Sequence, residues 1–292
     1  MIFRRLLSIP ATAVALLFSP LLLPVSLFLP TGLRAWAMTV LWLGCELFGV
    51  AAAALLTPLT LHRSTSLGAH YALQRAWSGV LWWGLCRLYR MRLEVEGEPG
   101  EGPYILLVRH ASTADTLLPQ VLVCNPLKHR LRYVLKNELR WDPCLDIVGG
   151  RLPNAFVKRG LGQVELVGDL ARDLGQDGIV IWPEGTRFSK GRRARRAEKD
   201  PRALELSCTL PPRTGGVRAV LEHGALDVVF CAHRGFEGVR RISDLWNGAL
   251  LDRVVHVKMW RSQPEGDLRD WLFQQWKQVD AFASEGISPS AG

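Results

Sequence analysis

Residues 6–29 carry no charge and are almost wholly apolar. About 20 helical residues cover the ~30 Å hydrocarbon core of a bilayer, so this run is too long for a buried strand or a short core helix. A turn, Pro30-Thr31-Gly32, separates it from a second apolar run over residues 35–61, interrupted by Glu46. Residues 1–62 therefore read as a hydrophobic helical hairpin that crosses the membrane twice or enters one leaflet. Pro10, Pro20 and Pro24 are expected to kink or break its first arm. A cleaved signal peptide is disfavoured, because its apolar region is usually shorter and no small-x-small site precedes a polar start. Arg4 and Arg5 flank one outer end, His62 and Arg63 the other, and Arg34 lies in the connection. The excess of cations outside places both ends in the cytosol. A buried Glu46 would need a partner.

Beyond the hairpin the composition bounds function. The net charge of +9 suits an anionic membrane or phosphorylated substrates. No nucleic-acid-binding motif accompanies it, so nucleic acid is not an expected partner. Six cysteines show no C-x-x-C spacing. They read as reduced, buried thiols, which puts the chemistry-bearing part on the cytosolic side. No Cys/His set has zinc spacing, so no metal is expected.

Residues 63–92 interleave Trp77, Trp82, Trp83 and Tyr89 with Arg75, Arg87, Arg90 and Arg92. This suits a helix lying at the headgroup level and equally a core-packing amphipathic helix. Strand-like runs follow at 92–95, 104–108, 131–135, 178–181, 227–232 and 254–260. Helix-like runs lie at 113–123, 162–174, 214–223 and 267–284. Alternation of this kind predicts an α/β fold over residues 93–286, with a mixed, largely parallel sheet covered by helices. The small, polar residues 287–292 are expected to be disordered.

Two short stretches stand out. Arg109-His110-Ala111-Ser112-Thr113-Ala114-Asp115 follows the apolar run 104–108. On a regular helix, five residues rotate by roughly 140°, so His110 and Asp115 would diverge. A loop can instead fold the carboxylate back onto Nδ1–H and leave Nε2 free as a base. No G-x-S-x-G nucleophile is present, so the hydroxyl to be activated would belong to a substrate. The second stretch, Glu184-Gly185-Thr186-Arg187, follows the run 178–181. Its glycine admits an anion to the backbone amides, and Arg187 supplies a forked donor for phosphate. Lys136 and Arg159 are further cations after short apolar runs. The arginine-rich run 190–202 reads as a solvated loop or a contact with an anionic surface.

In this order the blocks resemble those of the 1-acylglycerol-3-phosphate acyltransferase family of glycerolipid acyltransferases. His110-x4-Asp115 is similar to its catalytic motif. Lys136-Asn137-Glu138-Leu139 is similar to its lysine block, Phe156-Val157-Lys158-Arg159 to its second motif and Glu184–Arg187 to its third. Arg109 stands where the family often has asparagine. Lys158 and Leu210-Pro211-Pro212-Arg213-Thr214-Gly215-Gly216 look like the lysocardiolipin-acyltransferase-like branch.

The resemblance implies O-acyl transfer from acyl-CoA or acyl-ACP to the free hydroxyl of a lysophospholipid, foremost 1-acylglycerol 3-phosphate. His110 and Asp115 would be catalytic. Lys136, Arg159, Gly185, Thr186 and Arg187 would bind the phosphate, with Glu184 positioning Arg187 or a substrate hydroxyl. Beyond the acyl thioester co-substrate no cofactor is implied. The implied partners are membrane lipids and, for an acyl-ACP donor, acyl carrier protein. The implied location is the membrane, with the catalytic domain on the cytoplasmic side. Ester or thioester hydrolysis and non-catalytic lipid binding are the rival classes.

Overall fold

In the computed structural model, residues 2–58, 63–158, 160–239 and 243–285 are described. Arg159, the end of the second apolar run with His62, and the tail 287–292 lie outside them. Seven strands appear among the described residues: β1 Arg92–Glu96, β2 Tyr104–Val108, β3 Leu131–Lys136, β4 Ala155–Val157, β5 Gly178–Ile181, β6 Asp227–Arg234 and β7 Val254–Ser262. The chain divides into two compact units.

The first unit comprises residues 1–91, 117–163 and 241–253. Its first arm is helical over Ile2–Phe18, tightens to a 3-10 turn over Ser19–Leu22, and resumes over Leu23–Ser26. Pro20 and Pro24 sit in the first turns of the last two pieces, where a missing N–H costs nothing, whereas Pro10 is carried inside the first helix. The second arm is the helix Gly32–Leu55. Ile2–Ser26 and Gly32–Leu55 are each long and apolar enough to cross a membrane. Ile2, Phe3, Leu6, Leu17, Leu21 and Phe28 are exposed on the first arm.

Glu46 is buried and has the partners that burial demands. Trp77 Nε1 donates to it at 3.1 Å and the Cys144 amide at 3.0 Å. Around it Ala53, Leu73, Cys144 and Val148 form an apolar cluster with Trp77 and Ile147. Arg4 and Arg5 both reach Asp146, at 2.6 and 2.7 Å, with Arg140 at 3.7 Å. Residues Arg63–Tyr89 form one continuous helix that buries Tyr71, Leu73, Leu81, Leu85 and Tyr89. The unit also holds the parallel pair β3–β4.

The second unit comprises residues 92–116, 164–240 and 254–292. Its sheet has the order β1-β7-β6-β2-β5. The β6–β7 pairing is antiparallel and the other three are parallel. With β3–β4 this makes the mixed, largely parallel α/β architecture that the alternation predicts. Every residue of β2 is buried, because both faces of this central strand are covered. The helix Leu268–Ser284 is capped by Asp267, which accepts the amides of Arg269 and Asp270. Leu272, Phe273, Trp276 and Val279 form its buried face. Trp271 and Trp276 meet the ring of Phe230 on β6, with centroids 5.7 and 6.5 Å away.

Three local expectations change. Residues 113–123 are not one helix but a 3-10 turn over Ala114–Leu117 and a wide π-type turn over Gln120–Cys124. Pro119 lies between them and removes the amide a continuous α-helix would need. Of residues 162–174, only Val164–Gly168 is α-helical, followed by a 3-10 turn over Asp169–Ala171. The run at 190–202 is not simply a loop: Lys190–Ala197 is a helix, with Ser189 Oγ accepting the Arg192 amide.

Candidate active site

Strands β6, β2 and β5 are adjacent and parallel, in register at Tyr104↔Gly178 and Tyr104↔Asp227. Their carboxyl ends therefore lie side by side. Loops 109–115, 182–187 and 235–237 leave from there, the end of an open α/β sheet where ligands bind.

Immediately past β2 the chain leaves regular structure and turns back on itself. Asp115 is fully buried. Its Oδ2 accepts the amides of Ala111 at 2.7 Å and Ser112 at 2.6 Å. Its Oδ1 lies 3.0 Å from His110 Nδ1. This is the folded-back loop the motif required. Asp115 is an acceptor, so His110 donates Nδ1–H and its Nε2 carries the lone pair. The His110 side chain is 12% exposed against 0% for Asp115, so the base meets the surface and its orienting group does not.

The 184–187 turn is built against this loop. Gly185 has φ +65°, the left-handed region that favours glycine, and its amide closes the turn onto Trp182 O at 2.9 Å. Arg187 Nη1 donates to Thr113 Oγ1 at 3.0 Å, and the Phe188 amide to His110 O at 3.3 Å. Glu184 is fully buried. Its Oε1 accepts the His110 amide and its Oε2 the Leu210 amide, both at 2.8 Å. Its carboxylate thus fixes the backbone of His110. Burial, and secondarily the nearby Asp115 charge, push its carboxyl up to about 8, against the two amides and Arg109.

Thus the structure gathers His110, Asp115, Glu184, Gly185, Thr186 and Arg187 into one loop cluster. Lys136 ends β3 in the first unit.

Sequence reasoning missed a buried layer behind the dyad. Arg109 is 2% exposed, and its Nη1 donates to His233 O and Glu237 Oε1, both at 2.5 Å. Its Nη2 donates to Cys208 O at 3.1 Å. In return, His233 Nε2 donates to Arg109 O at 2.9 Å, the carbonyl immediately before His110. Burial lowers His233 to a pKa of about 4, so its ring stays neutral and keeps this donor at neutral pH. Burial pushes the Glu237 carboxyl up, but the Arg109 charge and hydrogen bond, together with the Glu237 and Gly235 amides, outweigh it and hold it below the usual carboxylate range. The strap 206–213 is held in the same way, because Asp280 accepts the amides of Ser207, Cys208 and Thr209 at 2.7–2.8 Å. The only sequence signal for this layer was arginine before the motif histidine.

Chemically, the cluster offers an oriented imidazole beside a forked cation. That arrangement can take a proton from a hydroxyl held by its phosphate. Residues 91–232 match the model of the Acyltransferase family. A search of curated proteins returns no match. Among solved structures, the chain is similar to the 1-acyl-sn-glycerophosphate (LPA) acyltransferase PlsC from Thermotoga maritima, with a TM-score of 0.55 and 14% identity. The similarity covers 87% of this chain and 98% of that one, and it is a likeness of fold. The segment that carries the His110–Asp115 pair thus matches the Acyltransferase family, and the chain shares the fold of that enzyme.

Proposed function

We propose that this chain is a membrane-attached lysophospholipid acyltransferase. In this reading it moves a fatty acyl group from an acyl-CoA or acyl-ACP thioester to the free hydroxyl of 1-acylglycerol 3-phosphate, giving phosphatidic acid. The observation that carries it is the His110 Nδ1–Asp115 hydrogen bond at 3.0 Å, with Asp115 clamped by two backbone amides.

His110 Nε2 takes the acceptor hydroxyl proton as that oxygen forms a bond to the thioester carbonyl carbon. Asp115 stabilises the imidazolium through the Nδ1 hydrogen bond. The tetrahedral intermediate collapses, the C–S bond breaks, and the leaving thiolate takes the proton back from His110. The cycle closes without a covalent enzyme intermediate. A base so placed supplies roughly 10²–10⁴-fold. Arg187 and the Gly185 and Thr186 backbone bind the acceptor phosphate. Glu184, through the His110 amide, keeps the base in register with them.

The hairpin supports membrane attachment, since a contiguous apolar face of this kind belongs in lipid rather than water. Basic residues at its outer ends support a cytoplasmic side for the catalytic unit.

The test is an assay of the purified full chain across a panel of lysolipids, with acyl-CoA and acyl-ACP donors. Phosphatidic acid formation is expected, with none from His110→Ala. Fatty acid release without transfer would replace this reading with hydrolysis, and an inert wild type with lipid binding alone.

A further inference from the structure

The 184–187 turn carries a second guanidinium. Arg213 belongs to the strap 206–213, and its amide donates to Pro183 O at 2.9 Å, next to Glu184. Its side chain then lies across the turn. A Cβ built on Gly185 would stand 3.3 Å from Arg213 Cζ and Nε and 3.4 Å from Nη1. The guanidinium therefore rests against the face of Gly185 that has no side chain.

A third arginine closes the group. Arg196, on the Lys190–Ala197 helix, donates through Nη2 to Glu184 O at 3.0 Å and through Nη1 to Pro211 O at 3.5 Å. Burial first, and then the Arg213 charge, depress Arg196. Arg196 and Arg213 thus repel one another, and neither has a carboxylate partner among the described residues. The neighbouring acid, Glu184, has both oxygens committed to amides. Arg196 is half-buried and Arg213 exposed, so an anion that reaches Arg213 from solvent would relieve the repulsion between them. Elsewhere the chain does supply carboxylates: Arg202 is paired with Asp200 and Asp270, and Arg109 with Glu237.

We propose that Arg213 is a substrate-binding residue, its guanidinium on the open face of Gly185 forming with Arg187 a two-armed subsite for a phosphate group. Arg196 is the strut that holds the turn beneath it. A planar fork suits phosphate oxygens, and the absence of a side chain at residue 185 is what lets the guanidinium lie against the turn. The inference deepens the proposed function and rests on it for the identity of the anion. Two sources share the chemistry: the phosphomonoester of the acceptor, and the 3′-phosphate or diphosphate of a CoA donor.

The experiment is steady-state kinetics of the full chain, wild type against Arg213→Ala and Arg213→Lys. The substrates are lysophosphatidic acid and its dephosphorylated counterpart, with acyl-CoA and acyl-pantetheine as donors. A charge-assisted contact predicts a KM about ten-fold higher in Arg213→Ala, with kcat little changed. Arg213→Lys should recover part of the loss, since it keeps the charge without the fork. A rise confined to the phosphorylated acceptor assigns the subsite to the acceptor. A rise confined to acyl-CoA and absent with acyl-pantetheine assigns it to the donor. Unchanged KM for both phosphorylated substrates overturns the proposal. If the wild type itself shows no transfer, the proposed function fails instead. The subsite is then read by calorimetry with inorganic pyrophosphate, where equal affinity of wild type and Arg213→Lys overturns it. The same titration decides the matter should Arg213→Ala fail to fold.

Discussion

Asp115 and Asp146 are both buried, at 0% and 1% exposure, and both gather several donors. Asp146, in the first unit, is ringed by Arg4, Arg5 and Arg140. A guanidinium does not pass its proton to a substrate, so the work of this acid is to anchor the first helix to the segment around residue 146. Asp115, in the second unit, holds two amides and one imidazole, and the imidazole reaches the surface. The same buried carboxylate is thus an anchor beside arginine and an orienting group beside histidine. What separates them is whether the partner can exchange a proton with something outside.

The sharpest way to break this contrast is to remove one side at a time. His110→Ala should lower transfer by about 10²–10⁴-fold while leaving the melting temperature nearly unchanged. Normal turnover in that variant would make the dyad structural, like Asp146. In the other direction, Asp146→Asn should cost roughly 2–3 kcal/mol of stability, because it strands partly buried arginines. Turnover per folded molecule should be unaffected, as read by denaturant titration beside an active-site-normalised assay.

Glu184 sharpens the comparison through pH. Its folded-state carboxyl is raised to about 8, so between about pH 4.5 and 8 the folded protein keeps a proton that the unfolded chain releases. Its contribution to stability therefore falls as pH rises through that window. His233, lowered to about 4, acts oppositely between about pH 4 and 6.5, so above pH 6.5 only Glu184 of the two contributes. Between pH 6.5 and 8, wild type should lose up to about 2 kcal/mol relative to Glu184→Gln, seen as converging melting temperatures. Parallel pH profiles would show that Glu184 is ionised throughout. The smallest effect is expected from Arg187→Ala, about ten-fold in KM for the phosphorylated acceptor. An unchanged KM would make the Thr113 contact its whole role.

Much of the sheet was legible. β2 and β5 are uninterrupted apolar runs, and such runs bury themselves as central strands wherever a sheet is covered on both faces. β4 was missed because three residues carry no periodicity. The helix expected at 113–123 failed at Pro119, where apolar spacing was kept but the backbone amide was not. The helix Lys190–Ala197 had its serine cap in view, yet its charge density reads as loop when no neighbour is known.

The motif residues of the candidate site could be named from sequence because they follow strands at fixed short distances, and the strand fixes where such a loop begins. The hydrophobic hairpin was equally plain, since length and lack of charge are properties of a segment alone. Tertiary structure decided the rest. Glu184 finds its amides 74 and 26 residues away, Arg109 finds Glu237 across 128 residues, and Arg213 lies on Gly185 only because two loops end side by side. Polar groups taken from water must be satisfied by whatever the fold brings near, and no local pattern records which groups those are.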